Sequence, residues 1–381
     1  MDRLHFDLLN QAPVRESVRA AIQNALGQIG NPACLYSQGR AASRWVERSR
    51  SQVAAFLHCR SEEVFFTSSG TEANTWVLKG LAGAAASKGR HLVVSAVEHL
   101  SVLQTVRRME KEGWFVTVVP VDRWGRVDPE AVEAALNPST VLVSIQWASA
   151  EVGTIQPIAD LARRVKAKEI LFHSDAIAAA GQIPVDFSVI AADALSVAGN
   201  VWGAPPGTGA LILRKGVRIQ PLFVGGTQEQ GRRAGTENLL GIVGMGEAAA
   251  AAAYEGSASS TVVSLRDRLW RGILEVSSEA SLNGHSTERL PGHLNVSFPG
   301  VDGEALVLSL DLRGVAVGLG SACTFQTRKP SHVLKAIGLE DRRALGAIVF
   351  SFGSEMTVPG VDRVVEILPQ ALGRRPLETT V

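Results

Sequence analysis

Glu63-Val64-Phe65-Phe66-Thr67-Ser68-Ser69-Gly70-Thr71-Glu72 is the stretch of sequence that decides the fold. Residues 63–67 form an apolar run that predicts a buried β-strand, and a helical pattern begins at Glu72. The Ser-Ser-Gly-Thr turn joins the two directly. Alternation of strands and helices through short turns of this kind is typical of α/β folds.

The same pattern continues along the chain and predicts the sheet. Further apolar runs of strand length occur at 91–95, 114–119, 141–145, 170–174, 194–197 and 209–213, with helical patterns at 129–136 and 158–167. Buried strands separated by helices predict an α/β fold with a mostly parallel mixed sheet flanked by helices. We expect a large domain at residues 15–255. Residues 1–14 and 256–381 should form a small α+β domain.

Composition excludes several classes of function. The chain has 381 residues with 38 Lys plus Arg and 37 Asp plus Glu, so its net charge of +1 argues against a nucleic-acid partner held by general basicity. We expect no membrane span, because no run of about 18 apolar residues occurs, and no signal peptide. Three cysteines are too few for a disulfide framework or a cysteine-based metal centre. A cytoplasmic protein without a metal is the expectation.

The turn at 67–71 is a candidate anion site. Amide groups at a helix N-terminus, here those of Gly70 and Thr71, have no partner within the helix. They lie at the positive end of the helix dipole, which favours a bound anion. A plain helix cap is the alternative, since any α/β protein contains several such turns.

Two polar residues come at strand ends, where open α/β sheets place ligands. Asp175 follows the run at 170–174, and His99 comes shortly after the run at 91–95. Asp175 is a candidate ligand-binding carboxylate or a helix cap. His99 is positioned to stack on an aromatic ring or simply to begin a surface helix.

Cys323 is the candidate reactive cysteine. It lies in Gly320-Ser321-Ala322-Cys323-Thr324, where small residues predict a loop, and the nearby Arg328 and Lys329 favour a thiolate. The alternative is an inert loop cysteine. Cys34 and Cys59 are interpreted as structural.

Taken in order, these motifs resemble those of the cysteine desulfurases, pyridoxal phosphate (PLP) enzymes with the class V aminotransferase fold (PLP fold type I). The resemblance covers nearly the whole chain. The shared segments are 30–32 with 39–40, 66–74, 98–99, 151–157, 173–176, 231–238 and 320–324 followed by 330–334.

The resemblance implies a role for each candidate residue. Gly70 and Thr71 would bind the PLP phosphate, His99 would stack on the ring, and Asp175 would hold the pyridine nitrogen protonated, so that the ring acts as an electron sink. Thr236 would reach the phosphate of a neighbouring subunit in a dimer. Cys323 would attack the sulfur of substrate cysteine and leave as a persulfide.

The chain departs from the family where the cofactor and the substrate are held. Val201 takes the place of the lysine that forms a Schiff base with PLP, and no lysine occurs from Ile170 to Arg214. Val349 takes the place of the arginine that pairs with the substrate carboxylate, the strongest handle such a site has. Ala198, Asn200 and Ala178 replace a serine, a histidine and a glutamine of the family pattern. PLP is therefore expected to be held non-covalently or not at all.

We accordingly predict a degenerate cysteine desulfurase-like protein without ordinary turnover. Cys323 would pass on sulfur as a persulfide, or would take part in sulfur transfer with a sulfur acceptor or an iron–sulfur scaffold protein. A homodimer, or a heterodimer with an active paralogue, is expected. The alternatives are an active desulfurase with an unusual cofactor site, whose lysine comes from elsewhere, and a non-catalytic scaffold in which Cys323 is incidental. The losses at Val201 and Val349 leave open whether the protein is an enzyme.

Overall fold

The computed structural model describes residues 3–255, 260–319 and 330–373. The strands in chain order are β1 (Leu4–Phe6), β2 (Val64–Thr67), β3 (His91–Ser95), β4 (Phe115–Val119), β5 (Thr140–Ser144), β6 (Leu171–Asp175), β7 (Ala194–Ala198), β8 (Gly209–Leu213), β9 (Ser281–Asn283), β10 (His293–Ser297), β11 (Val315–Val317) and β12 (Ala347–Ser351). The helices are α1 (Glu16–Leu26), α2 (Ser37–Phe56), α3 (Gly70–Ala85), α4 (Leu100–Lys111), α5 (Pro129–Ala134), α6 (Ile158–Lys166), α7 (Gln228–Gly231), α8 (Leu239–Glu255), α9 (Ser260–Val276), α10 (Gly303–Asp311), α11 (His332–Ala336), α12 (Asp341–Leu345) and α13 (Val358–Ala371).

Seven strands form the central sheet in the order β2-β8-β7-β6-β5-β3-β4. The strands β7, β6, β5, β3 and β4 are parallel, whereas β8 runs antiparallel to both β2 and β7. The predicted α/β class and mostly parallel mixed sheet are confirmed. Every residue of β3, β5, β7 and β8 is buried, which explains why these strands read as continuous apolar runs. The edge strand β4 differs, because Phe115 and Val118 face solvent.

Helices α1, α2 and α8 pack together on one side of this sheet. The contact between α2 and α8 depends on Gly246, because a Cβ there would lie 2.6 Å from the Cα of Ser49. That close approach brings the backbones of the two helices together and buries the alanine-rich side of α8, including Ala248 and Ala249.

A second apolar cluster lies among the elements of the two chain ends. β1 pairs in parallel with β11, and β9, β10 and β12 form an antiparallel sheet that α9 and α13 cover. The ring of Phe6 packs edge-on against Phe352, with 5.4 Å between ring centroids. The N-terminal strand thus packs with residues beyond 260. The division at residues 15 and 255 stays a prediction.

Among the described residues, no helix is both long enough and apolar enough to cross a bilayer. The same part of the chain contains no group of three or more histidine, cysteine, aspartate or glutamate side chains arranged to hold a metal ion.

Candidate active site

A cavity of about 290 Å³ lies at the carboxyl ends of the parallel strands. Four segments supply much of its wall: the start of α3, the segment between β3 and α4, the residues that follow β6 and those that follow β7. Of the six residues predicted for the site, four line this cavity together: Gly70, Thr71, His99 and Asp175. Ligand sites in open α/β sheets occupy this position.

The phosphate turn is built around Glu72. Ser69 caps α3 by accepting a hydrogen bond from the Glu72 amide (3.1 Å), and the Glu72 carboxylate accepts hydrogen bonds from the Ser68 amide (2.8 Å) and from Arg233 Nε (2.8 Å). Burial alone would raise the pKa of Glu72, but the bonds from Arg233 and Ser68 hold that pKa below its usual value. The carboxylate thereby ties the turn to the segment near Arg233. Ser69, Gly70 and Thr71 at the start of α3 line the cavity, and amides at a helix N-terminus can donate hydrogen bonds to an anion.

Asp175 is the last residue of β6 rather than the residue after it, and its carboxylate is fixed on both oxygens. Asn74 Nδ2 donates to Oδ2 (2.7 Å) and the Ile177 amide donates to Oδ1 (3.0 Å). Burial raises the pKa of Asp175, while the nearby His99 and these hydrogen bonds oppose the rise. A cation bound beside Asp175 would favour the ionised carboxylate further.

His99 caps α4 and is joined to Asp175 by a chain of hydrogen bonds. Its Nδ1 accepts from the Ser101 amide (3.1 Å) and lies 2.7 Å from Ser101 Oγ, which in turn accepts from Asn74 Nδ2 (2.9 Å). Because Nδ1 accepts, the proton of a neutral ring sits on Nε2. The two residues predicted to contact the ring are therefore held in one network.

Val201 lines the same cavity from a short turn after β7. The turn is fixed by Gly203, whose φ of +88° suits glycine, and by the Trp202 indole, which donates to the Ala180 carbonyl (2.8 Å). No lysine is present among the described residues that line the cavity. Ala178 and Ala198, also in the lining, add no polar group. Position 201, where an amine was expected, therefore offers only an aliphatic side chain.

The other predicted positions lie elsewhere. Thr236 lines a separate cavity of about 160 Å³ that also includes Ser68 and Arg233. Val349 is buried in the middle of β12, paired with Asn295 and hydrogen-bonded through its backbone to Gly318, and is not part of the main cavity wall as described. Cys323 lies outside the described residues. Burial raises the pKa of the Cys59 thiol to about 12, which fits an unreactive, structural cysteine.

Sequence reasoning missed three groups in the cavity wall, Glu98, Glu151 and His332. Burial raises the pKa of Glu98 to about 8 and that of Glu151 to about 7. Both glutamates lie inside segments that resemble the family, 98–99 and 151–157, and Glu98 directly precedes His99. Their burial, which raises both pKa values, could not be predicted from the sequence.

The raised pKa of Glu98 predicts that the stability of the folded protein depends on pH. Its pKa is higher in the folded protein (about 8) than its ordinary value of 4.5, so the folded state binds the proton more tightly. The free energy of unfolding should then fall as pH rises from 4.5 through about 8. Glu98→Gln removes this titration and should flatten the decline by roughly 2–4 kcal/mol, as measured by urea unfolding across that range. Parallel curves for the variant and the wild type would show the assignment to be wrong.

Comparisons with known proteins agree with this architecture. The family model for "Aminotransferase class-V" proteins matches residues 9–364. Cysteine desulfurase IscS of Methanosarcina thermophila is 41% identical over 369 residues, which cover 96% of this chain and 91% of the relative. Cysteine desulfurase IscS 1 of Archaeoglobus fulgidus is 40% identical over 97% of both chains. A solved NifS-like protein superimposes with a TM-score of 0.90 at 34% identity, covering 97% of this chain and 99% of its own.

The fold and the cavity define a class V aminotransferase-type protein. Within that class, the chain belongs to the cysteine desulfurase family. The predicted resemblance is confirmed, and the family is PLP-dependent.

The residues present fit only part of PLP. A phosphate matches the amides at the start of α3, a protonated ring nitrogen matches Asp175, and the ring face matches His99. The covalent end does not match, because Val201 offers no nitrogen. When bound, PLP supplies an electron sink.

Proposed function

We propose that this chain is a cysteine desulfurase-family protein that does not carry out ordinary PLP-dependent desulfuration of L-cysteine. Val201 in the cavity wall supports this most strongly, because a valine neither anchors the cofactor nor moves a proton. Val349, buried in β12 without a guanidinium, removes the expected partner of a substrate carboxylate. In this proposal PLP binds through Asp175, His99 and the start of α3, or does not bind.

The retained function is sulfur relay at Cys323 in the cytoplasm. The Cys323 thiolate attacks the outer sulfur of a donor persulfide, so that one S–S bond forms at Cys323 while the donor's S–S bond breaks. The donor leaves as a thiolate, and no net oxidation occurs. A sulfur acceptor or an iron–sulfur scaffold protein would then take the sulfur.

Assembly as a dimer belongs to the same proposal. Thr236 lies away from the main cavity, beside Arg233, which supports a role at the site of a neighbouring subunit. The neighbour is a second copy or an active paralogue whose site this chain completes.

The test of the proposed function is turnover. Purified protein given PLP and L-cysteine should produce no alanine or sulfide above the level of free PLP. Robust formation of both products would support the alternative, an active desulfurase, which the 41% identity to a protein of that name favours.

Cys323→Ser separates relay from a pure scaffold. With a persulfide-loaded active desulfurase as donor, wild-type protein should become labelled with sulfur. The variant should lose at least about 90% of that label because an alcohol cannot form the S–S bond. Cys34→Ser is the matched control and should keep the label. Equal labelling of wild type and Cys323→Ser would favour the scaffold.

A further inference from the structure

Residues 7–15, between β1 and α1, form a strap that contains neither helix nor strand. The strap passes the main cavity, where Leu9 and Asn10 lie in the wall together with Asn200 and Val201. Its two ends contact different parts of the molecule. One end is bonded to the turn after β7 that carries Val201, and the other end lies against the backbone where β11 ends.

The Arg15 end of the strap is bonded to the turn after β7. The Arg15 amide donates to the Gly203 carbonyl (3.2 Å), and Arg15 Nε donates to the Trp202 carbonyl (2.8 Å). The two backbones approach closely, since a Cβ on Gly203 would lie 2.8 Å from Arg15 Cγ. Asn200 Nδ2 donates in the other direction, to the Asn10 carbonyl (2.8 Å). Because the guanidinium is charged, its bond to Trp202 should be the strongest of these three.

The Asp7 end of the strap lies against Gly318, the residue that follows β11. Asp7 Oδ1 accepts a hydrogen bond from Asn10 Nδ2 (2.8 Å). A Cβ on Gly318 would lie 2.7 Å from Asp7 Oδ1 and 3.4 Å from Asn10 Nδ2, so this hydrogen-bonded pair packs directly on the glycine. Gly318 is itself held to β12 by two backbone hydrogen bonds with Val349 (2.9 and 2.7 Å).

The strap thus provides continuous contacts from the cavity wall to β11. Such contacts can carry energetic coupling between two sites when both depend on the same element. β1 and β11 form a two-stranded sheet, and a sheet of that size is marginally stable by itself, so its position depends on what packs against it. Cys323 lies five residues after Gly318 in the sequence. A change in the strap should therefore affect the reactivity of this cysteine.

We propose that Asp7 and Arg15 are positioning residues for sulfur transfer at Cys323, because the strap that they anchor couples the turn after β7 to the end of β11. The inference rests on the proposed function, in which Cys323 passes on sulfur. Loosening the strap at either end loosens the backbone held at the other end, since a coupling free energy acts equally in both directions.

Arg15→Ala tests the coupling from the side of the cavity. It removes the charged donor to the Trp202 carbonyl, and the loss of such a bond corresponds to roughly 10- to 150-fold in an equilibrium constant. In hydrogen-exchange mass spectrometry of the full chain, amides at 315–318 should exchange at least about threefold faster than in the wild type, because part of that loss is transmitted. Arg19→Ala is the matched control, since Arg19 is 60% exposed and pairs with the exposed Glu16. It should leave exchange at 315–318 unchanged.

Gly318→Ala tests the coupling from the opposite side. The added methyl group would lie 2.7 Å from Asp7 Oδ1, which is too close for two unbonded atoms, so the strap must shift. Amides at 199–204 should then exchange at least about threefold faster. Gly27→Ala is the control, because a Cβ there would meet its nearest neighbour at 3.7 Å, an ordinary contact. Exchange at 199–204 should stay at the wild-type rate in this control.

Alkylation of Cys323 by iodoacetamide connects the strap to the reacting residue. The rate is followed by mass spectrometry of the peptide that contains Cys323, with Cys34 of the same molecule as the internal reference. Arg15→Ala and Gly318→Ala should each raise the rate at Cys323 at least about threefold relative to Cys34, because the backbone before Cys323 is held less firmly.

Three results would overturn the inference. Faster exchange only at the substituted end would show that the ends are not coupled, and uniformly faster exchange along the whole chain would show a general loss of stability. An unchanged alkylation rate at Cys323 would show that the strap does not position this residue. If one variant fails to fold, the other still decides, because the coupling is reciprocal. Neither exchange nor alkylation requires a persulfide donor, so the labelling test of the proposed function fails or stands separately.

Discussion

Val201→Lys should give the protein a covalent link to PLP that the wild-type chain does not form. Position 201 lies in the wall of the cavity that also contains Asp175, His99 and the start of α3, so a lysine there places an amine beside groups that fit the ring and the phosphate. After incubation with PLP and removal of the free cofactor, the variant should keep a visible absorption band. Borohydride reduction should then fix close to one pyridoxyl group per chain at residue 201.

Val201→Met is the matched control, because it adds length without an amine. It should retain no reducible cofactor. Equal labelling of the lysine and methionine variants would mean that this cavity is not where PLP binds. Desulfurase turnover is not expected from Val201→Lys alone, because position 349 still lacks a guanidinium for the substrate carboxylate.

Glu229→Gln should destabilise the fold by about 3 kcal/mol or more, measured as the free energy of unfolding in urea at fixed protein concentration. The Glu229 and Arg50 side chains are 2% and 8% exposed. They form a bidentate salt bridge with two nitrogen–oxygen distances of 2.8 and 2.9 Å. Glu229 also accepts from the Phe66 amide (2.9 Å). Removing its charge leaves the buried Arg50 guanidinium with only the exposed Glu47 as a counterion.

The same arginine provides the control. Glu47 contacts Arg50 Nε at 3.1 Å but is 61% exposed, so Glu47→Gln should cost less than about 1 kcal/mol. The pair also stabilises a backbone that L-residues seldom adopt, since Glu229 and Gln230 have φ values of +47° and +59°. A loss in Glu229→Gln no larger than that in Glu47→Gln would refute the proposed role of the buried pair.

The sheet could be predicted from sequence because each buried strand is a run of consecutive apolar residues. The apolar runs at 91–95 and 209–213 correspond residue for residue to β3 and β8, and the turn before Glu72 is the start of α3. Some strand ends differ from the prediction by one residue, because strand pairing continues beyond the apolar run. Asp175 at the end of β6 is an example, since it pairs with Ser196 of β7.

The rest of the site depends on contacts between distant residues. Arg50 and Glu229 are 179 positions apart, and no periodicity relates them. Glu98 and His332 are 234 positions apart, and only the fold shows that a glutamate beside a strand is fully buried next to an imidazole that hydrogen-bonds its backbone carbonyl. The substitution at Val201, by contrast, was visible from sequence, because a missing amine is a property of one residue.

Peptide mapping of wild-type protein after incubation with PLP and borohydride tests the central claim most directly, with Val201→Lys analysed in parallel as the positive control. We predict no pyridoxyl group on any lysine of the wild-type chain beyond scattered, sub-stoichiometric surface labelling, and a single modified peptide at residue 201 in the variant. A stoichiometric adduct on one lysine of the wild-type chain would contradict the account.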